Sequence, residues 1–272
     1  MKLALAALLA ALSASCDPAA PSTAPPGPGA LVASAFPAEA SERPDVPAPR
    51  EKDYPWMSRA AWWERHRALL AIDPTAKRES QLAFVGDSIT EGWDDAVWSE
   101  FFVRYRPIRL GLGGDKTQQL LFRIERGELD GLGSRVLVLL IGTNNFGLGK
   151  ATPEGVARGI GAVLGAIRGK LPDCRILLLA ILPRDQPHSA IRRDVAATNQ
   201  LLTKLADGDR VRYLDLGSNF LETGGKIPVD LMADSLHPTP LGYRVLSSAL
   251  SPVLHELLQT ANSKQPETAP PR

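Results

Sequence analysis

Cysteine, histidine, aromatic residues and any excess of one charge are all scarce in this chain. Its 272 residues include 2 Cys and 4 His, 6% are aromatic, and 31 Lys and Arg face 30 Asp and Glu. Two cysteines exclude a disulfide-built scaffold and a four-cysteine zinc site. A formal net charge of +1 argues against a nucleic-acid partner or an acidic membrane surface, both of which attract cationic proteins. The composition therefore restricts the class of partner without identifying a function.

A long hydrophobic run is missing as well, even at the apolar N-terminus. Residues 1–16 combine one cation, Lys2, with a short apolar stretch and an ending of small residues. The stretch is shorter than the about 20 apolar residues of a membrane-spanning helix, so it is typical of a secretory signal. Its ending resembles the lipobox of bacterial lipoproteins, in which Cys16 would be the lipidated residue. Leu12 lies one position earlier than the leucine of the usual lipobox. The alternative is cleavage of an ordinary signal peptide nearby. We therefore predict an exported protein, periplasmic or associated with the cell envelope, that contacts a membrane only through a lipid anchor on Cys16.

Segments poor in large apolar residues flank one domain-sized stretch. Residues 17–50 contain nine Pro and nine Ala, and residues 261–272 are polar and contain proline. Such segments bury too little apolar surface to offset the entropy lost on ordering, so both are predicted to be disordered, the first as a tether. Residues 51–260 are left as a single domain of ordinary size.

Within that domain, apolar runs typical of strands alternate with amphipathic stretches typical of helices. Strands are predicted at residues 81–86, 107–111, 135–142, 175–182 and 211–216. Helices are predicted at residues 59–71, 95–105, 117–126, 153–170, 190–205 and 240–258. This alternation predicts an α/β fold in which helices cover a parallel sheet. Because ligands bind at the carboxyl ends of the strands in such sheets, the loops there are the candidate site.

Two glycine-containing loops follow the first two predicted strands. Gly86 and Asp87 lead into Ser88, whose hydroxyl would lie at the start of a helix, either as a nucleophile or as an ordinary helix cap. The second loop includes Gly114, whose backbone N–H can approach a ligand closely, although a plain turn would also use glycine. The glycine spacing fits neither the dinucleotide-binding nor the phosphate-binding motif.

Amide, carboxylate and imidazole side chains follow the third strand and precede the last helix. Asn144 can donate to a developing negative charge or simply form a turn. Asp234 and His237 are three residues apart, so the carboxylate can hold one ring nitrogen and leave the other free. No cluster of His, Cys and carboxylates has metal-ligand spacing, so no metal is predicted. Each signal is weak alone, but together they supply a nucleophile, a base and oxyanion donors at one edge of the sheet.

Taken in order, these motifs resemble those of the GDSL family of esterases, also called SGNH hydrolases. The matching blocks are Gly-Asp-Ser at Ser88, a glycine at Gly114, Gly-x-Asn at Asn144, and Asp-x-x-His at Asp234 and His237. The four blocks together are highly specific, and the resemblance extends over about residues 55–258.

One branch of the family is matched more closely than the rest. Residues 111–117, residues 123–129 and the run Leu182-Pro183-Arg184 resemble the catalytic subunits of platelet-activating-factor acetylhydrolase, a branch that includes exported bacterial acylesterases. Lys116 and Ser235 depart from the pattern, in which threonine and a bulkier residue are frequent. These departures bear on substrate fit rather than on catalysis.

The resemblance implies a three-layer α/β/α sandwich with a five-stranded, flavodoxin-like parallel sheet, and hydrolysis of carboxylic esters without a cofactor. Ser88 would be the nucleophile, His237 the general base and Asp234 the carboxylate that orients it. The oxyanion would be held by the backbone N–H groups of Ser88 and Gly114 and by the Asn144 side-chain amide. Some members of this branch are dimers, but the sequence shows no interface and leaves the oligomeric state open.

The sequence defines the substrate less well than the mechanism. Ile89, Thr143, Leu236 and Trp93 are predicted to border the substrate pocket, and Trp93 is the best-placed aromatic platform for a sugar unless it packs in the core. Apolar walls and an export signal favour an acetyl ester on carbohydrate or cell-wall sugars. The alternatives are a lipolytic enzyme acting on phospholipid or lysophospholipid, including one like platelet-activating-factor acetylhydrolase, and a catalytically silent glycan-binding relative.

Overall fold

Five short, mostly apolar segments form one sheet. They are β1 (Leu82–Gly86), β2 (Ile108–Gly111), β3 (Val136–Leu140), β4 (Arg175–Leu179) and β5 (Val211–Leu214). The order across the sheet is β2-β1-β3-β4-β5, and every neighbouring pair is parallel. This is the flavodoxin-like strand order, which confirms the predicted fold class and places the change of winding direction between β1 and β3.

The computed structural model describes residues 42–263. The predicted signal segment, the lipidation candidate Cys16, most of the tether and the end of the tail lie outside the described residues. Within residues 42–263, no helix has both the length and the apolar character needed to cross a membrane. Cys174 in this range is a buried free thiol.

The helices follow the predicted positions closely where they are long. They are α1 (Arg59–Leu70), α2 (Pro74–Glu79), α3 (Ser88–Glu91), α4 (Asp95–Phe102), α5 (Thr117–Glu125), α6 (Thr143–Gly147), α7 (Pro153–Lys170), α8 (Ala190–Leu202) and α9 (Pro240–Ser263). At α7, the hydroxyl of Thr152 accepts the Gly155 N–H at 3.2 Å, and Pro153 occupies the first turn. The short helices α2 and α6 were not predicted, because one turn or so is too short to show a helical period. The last helix continues to Ser263, three residues into the segment predicted as a disordered tail.

Helices cover both faces of the sheet, which makes the predicted three-layer sandwich. On one face α5, α7 and α8 pack against alternate strand residues, including Ala83 and Val85 of β1. On the other face α4 and α9 pack against the intervening residues, including Leu82 and Phe84. Every residue of β3 is buried, as expected for a strand with helices on both sides.

The last part of the predicted tether, residues 42–50, is packed against the domain rather than extended away from it. The carbonyl oxygen of Pro44 accepts a hydrogen bond from the Thr117 hydroxyl at 2.8 Å, and the Ala48 N–H donates to the Gln118 carbonyl at 3.1 Å. The Arg50 side chain is buried and donates to the Gly113 carbonyl at 2.6 Å. The predicted boundary at residue 50 is therefore too late. A proline-rich composition indicates that the segment lacks regular secondary structure. It does not indicate that the segment forms hydrogen bonds with a helix that is distant in sequence.

Candidate active site

Ser88, His237 and Asp234 form a hydrogen-bonded series at the carboxyl end of β1. Ser88 is the first residue of α3, and its Oγ lies 2.9 Å from His237 Nε2, although 149 residues separate the two in sequence. His237 Nδ1 lies 2.7 Å from Asp234 Oδ2. The fold thus brings together the three residues that the sequence motifs singled out, in the order in which a serine nucleophile, its base and the orienting carboxylate would stand.

The loop that carries His237 is held by its own backbone and by a neighbouring loop. Asp234 Oδ1 accepts the N–H groups of Leu236 and His237 at 3.0 and 2.7 Å. Ser235 has a left-handed φ of 57°, and its carbonyl accepts the Asp185 N–H at 3.0 Å. Partial burial would raise the pKa of Asp234, but the hydrogen bonds from His237 and Leu236 outweigh it and lower the pKa. An ionised Asp234 favours the tautomer with Nδ1–H, which leaves Nε2 free to accept the Ser88 proton.

The glycine loop after β2 lies directly beside Ser88. A Cβ built on Gly113 would be 3.9 Å from Ser88 Cβ, and the Gly113 N–H itself donates to Glu91 Oε2 at 2.8 Å. Gly114 has a φ of 73°, and a Cβ there would lie 2.1 Å from Cη2 of Trp56, so only glycine fits. Among residues 42–263, neither the Ser88 nor the Gly114 N–H meets an acceptor. The Ser88 N–H and the N–H of Gly114, the residue after Gly113, are therefore unused donors in the loops around Ser88.

Asn144 is fixed between the loops that follow β2 and β3. Its Nδ2 donates to the Asp115 carbonyl at 3.0 Å, which uses one of the two amide hydrogens and leaves the other for a ligand. The neighbouring Asn145 accepts the Thr117 N–H at 3.0 Å. Arg184, from the run after β4, donates through Nη1 to both the carbonyl and the hydroxyl of Thr143, at 3.0 and 3.1 Å. Side chains from three loops thus fix the position of this amide.

Two of the predicted pocket residues are buried in the core instead. Ile89 is buried among the residues beneath α3. Trp93 is 3% exposed, and its Nε1 donates to the Ser247 hydroxyl at 3.2 Å. The prediction of Trp93 as a sugar platform is therefore wrong, because the apolar helix faces around it supply enough partners to enclose the ring. Thr143 is also buried, with its hydroxyl turned to Arg184, whereas Leu236 is half-buried beside His237.

An aromatic pair that the motifs did not single out lies beside the glycine loop. Trp56 is 54% exposed, and its ring stacks on Tyr54 with centroids 5.2 Å apart and planes 3° apart. The edge of the Trp56 ring covers Gly114. A signal for this exposed position was present in the sequence, since Trp56 follows Pro55 in a polar stretch outside any predicted helix.

Asp87, the residue before Ser88, is a buried carboxylate. Its Oδ1 accepts the Ile89 N–H at 3.0 Å, whereas its Oδ2 has no hydrogen-bond partner in the described part of the chain. Burial raises the pKa of Asp87 to about 7. The negative charge of Asp115 also raises this pKa, whereas the hydrogen bond from the Ile89 N–H lowers it. Because an unfolded aspartate ionises near pH 4, ionisation of this group disfavours the folded state as the pH rises from about 4 to 7.

We expect the Asp87→Asn substitution to increase thermal stability by an amount that grows with pH. The amide keeps an oxygen for the Ile89 N–H but carries no charge, so the gain in Tm over the wild type should be about 3–6 °C at pH 8 and smaller at pH 5. Asp73→Asn is the matched control, because Asp73 is a helix-capping aspartate on the surface. A Tm difference for Asp87→Asn that does not change between pH 5 and pH 8 would contradict the assignment.

A flavodoxin-like sheet with a serine, a histidine and a carboxylate in hydrogen-bonded contact at its carboxyl edge is the arrangement of a serine hydrolase. The described residues contain no group of three or more His, Cys, Asp or Glu side chains placed to hold a metal ion. The sequence model of the GDSL-like Lipase/Acylhydrolase family matches residues 84–245, and the chain belongs to this family. It is a carboxylic ester hydrolase.

Similar proteins agree with the branch that the motifs indicate. The chain is 33% identical over 199 residues to human platelet-activating factor acetylhydrolase IB subunit alpha1, covering 72% of this chain and 84% of that one. It is 34% identical over 210 residues to the rat subunit alpha2, covering 75% and 88% of the two chains. The fold matches a GDSL-like lipase from Bacteroides thetaiotaomicron with a TM-score of 0.61 and 18% identity over 74% of this chain and 98% of that one. It also matches a carbohydrate acetylesterase from Sinorhizobium meliloti with a TM-score of 0.53 and 18% identity over 65% and 99%.

Proposed function

We propose that this chain is an exported serine esterase that removes acetyl and other short acyl groups from the hydroxyls of carbohydrate or cell-wall sugars. One observation carries the catalytic part of the proposal: the hydrogen-bonded series from Asp234 through His237 to Ser88, with two free N–H donors beside the serine. Export rests on the secretory character of residues 1–16.

The series supports acyl transfer in two steps. Ser88 Oγ attacks the ester carbonyl carbon while its proton moves to His237 Nε2, and ionised Asp234 stabilises the imidazolium. The bond to the alcohol oxygen then breaks, His237 returns the proton to that oxygen, and the acyl group remains on Ser88. Water attacks the acyl-serine with His237 again as base, which releases the carboxylic acid and restores the Ser88 hydroxyl.

The donors around Ser88 suit the negative charge that develops on the carbonyl oxygen. The backbone N–H groups of Ser88 and Gly114 and the second amide hydrogen of Asn144 are the proposed oxyanion donors. All three are fixed before substrate binds, Gly114 by its left-handed backbone under Trp56 and Asn144 by its bond to the Asp115 carbonyl. Preorganised donors of this kind do not have to reorient during the reaction, which is why they lower the barrier.

One feature favours a sugar ester over a lipid ester, and a second favours acetyl as the acyl group. The stacked pair of Tyr54 and Trp56 presents an aromatic surface beside Gly114, and such surfaces bind the apolar faces of sugar rings. The fold match to a bacterial carbohydrate acetylesterase and the acetylhydrolase names of the relatives agree with an acetyl group on the acyl side.

The length of the acyl chain separates a short-acyl esterase from a long-chain lipolytic enzyme, and an acetylated polysaccharide then tests the sugar side. We expect kcat/KM for 4-nitrophenyl acetate to exceed that for the octanoate and decanoate by about tenfold or more, because a site shaped for a short acyl group clashes with the longer chains. The measurement is a kinetic comparison of the three esters below their micellar concentrations, followed by acetate release from acetylated xylan.

The same leaving group in all three esters is the internal control, because it isolates the acyl side of the site. Preference for octanoate or decanoate over acetate would overturn the short-acyl assignment and favour a lipolytic enzyme.

A further inference from the structure

A small polar pocket opens beside Gly114. Its walls include Arg50, Lys116 and Gln119, and the Tyr54 ring also contributes. Because Gly113 lies against the Ser88 side chain and consecutive Cα atoms are about 3.8 Å apart, the pocket begins within roughly 10 Å of Ser88. That distance is the width of one or two sugar rings, so a group on an ester bound at Ser88 can reach the pocket.

The pocket has two buried cations whose hydrogen-bonding capacity is incompletely used. Arg50 Nη2 donates to the Gly113 carbonyl and lies 3.6 Å from Asp115 Oδ1, but the buried Nη1 has no partner in the described part of the chain. Lys116 is 8% exposed, and none of residues 42–263 accepts a hydrogen bond from its Nζ. A buried guanidinium donor such as Arg50 Nη1 is normally satisfied, which points to a ligand with acceptor oxygens.

The charges on the rim leave the pocket positive. Lys52 and Glu42 pair with each other at 3.3 Å on the exposed side. Among the lining residues, that pair leaves Arg50 and Lys116 with the single carboxylate of Glu51, while Asp115 lies 3.6 Å from Arg50 and outside the lining. Burial lowers the pKa of Lys116 against the opposing charge of Glu42, so a bound anion would relieve the desolvation of this ammonium group.

We propose that the pocket lined by Arg50 and Lys116 is a subsite for a negatively charged group carried by the ester substrate, such as the carboxylate of an acylated acidic sugar. The proposal rests on the proposed function, because it assigns the anion to the same molecule whose ester is cleaved at Ser88. Tyr54 lines the pocket and its stacking partner Trp56 covers Gly114, so the pair lies where it can contact a sugar ring. Lys116 is also one of the two departures from the family pattern, so the subsite would be a property of this chain.

A pair of esters that differ only in charge tests the subsite. We expect the wild-type enzyme to release acetate from acetylated methyl glucuronoside with a kcat/KM about tenfold or more above that for acetylated methyl glucoside, mainly through KM. Lys116→Thr should reduce this ratio to near one, and Lys116→Arg should retain it. Lys204→Thr, which removes an exposed lysine after α8, is the matched control and should leave the ratio and both rates unchanged.

Failure of the subsite is distinguishable from failure of the esterase. Hydrolysis of both sugar esters with a ratio near one that Lys116→Thr does not change would overturn the subsite and leave the proposed function standing. Absence of hydrolysis of both sugar esters and of 4-nitrophenyl acetate by folded enzyme would overturn the proposed function, and the subsite with it.

Discussion

The Ser88→Ala variant is expected to lose esterase activity almost completely, with kcat for 4-nitrophenyl acetate lower by on the order of 10⁴-fold or more. The reason is that every covalent step in the proposed mechanism passes through Ser88 Oγ, so His237 and the oxyanion donors have no nucleophile to act on. The fold should persist, since the half-buried Ser88 hydroxyl has His237 Nε2 as its partner and caps no helix. Initial rates and a thermal melt on the same preparations provide the measurement.

A fluorophosphonate probe turns this prediction into a direct test of the serine. The wild-type protein should form a covalent bond from Ser88 Oγ to the probe phosphorus with loss of fluoride, whereas Ser88→Ala should remain unlabelled. Ser218→Ala is the control, because Ser218 is an exposed serine in the turn at 217–220. Wild-type protein that is folded yet neither labelled nor active would instead support the catalytically silent, glycan-binding alternative.

The positions of the catalytic candidates could be predicted because each depends on local sequence and on one global rule. Strand-forming runs end at Gly86 and just before Gly142, and parallel strands bring their carboxyl ends to one edge. That rule places Ser88 and Asn144 at the same edge without any knowledge of side-chain packing. His237 required the motif as well, because its loop follows β5 at some distance and no period fixes where such a loop turns.

The surroundings of the site could not be predicted from the sequence, because they depend on contacts between distant segments. Trp93 and Trp56 both lie close in sequence to polar residues, yet the first is enclosed by Phe84, Phe102 and Tyr243 and the second is open to solvent. Hydrophobicity is the same for both rings, so only the packing of α4 and α9 decides which one can meet a substrate. The position of Arg50 could not be predicted for the same reason, since the Arg50 side chain contacts residues in the loop after β2.

Beneath the glycine loop, a buried ion network joins β1, β2 and α5. Arg123 is fully buried, and its Nε donates to Asp115 Oδ2 at 2.7 Å while its Nη1 contacts both carboxylate oxygens of Glu128. Its Nη2 donates to the carbonyl of Gly86 at 3.0 Å, two residues before Ser88. Asp115 also accepts the Trp62 Nε1–H at 2.6 Å. The network thus fixes the backbone on both sides of the proposed oxyanion site.

Replacing Arg123 with methionine is expected to destabilise the fold by about 3–5 kcal/mol, because it removes the cation that the buried carboxylates of Asp115 and Glu128 share. In the wild type, burial raises the pKa of Asp115 to about 6 even though Arg123 opposes the shift. Without Arg123 the carboxylate of Asp115 loses this opposing charge, so the destabilisation should be greatest near pH 8 and shrink towards pH 5, where Asp115 binds a proton. Urea unfolding at the two pH values measures both the size and the sign of the effect.

Two comparisons show whether the unpaired charge, rather than the lost arginine, causes the destabilisation. Arg168→Met removes a partly exposed arginine paired with Asp207 at 3.3 Å, and it should cost no more than about 1 kcal/mol. Adding Glu128→Gln to Arg123→Met removes one of the stranded charges and should recover part of the loss at pH 8. If Arg123→Met were as stable as the wild type at pH 8, the network would not support the glycine loop, and the position of Gly114 would depend on Trp56 and Arg50 alone.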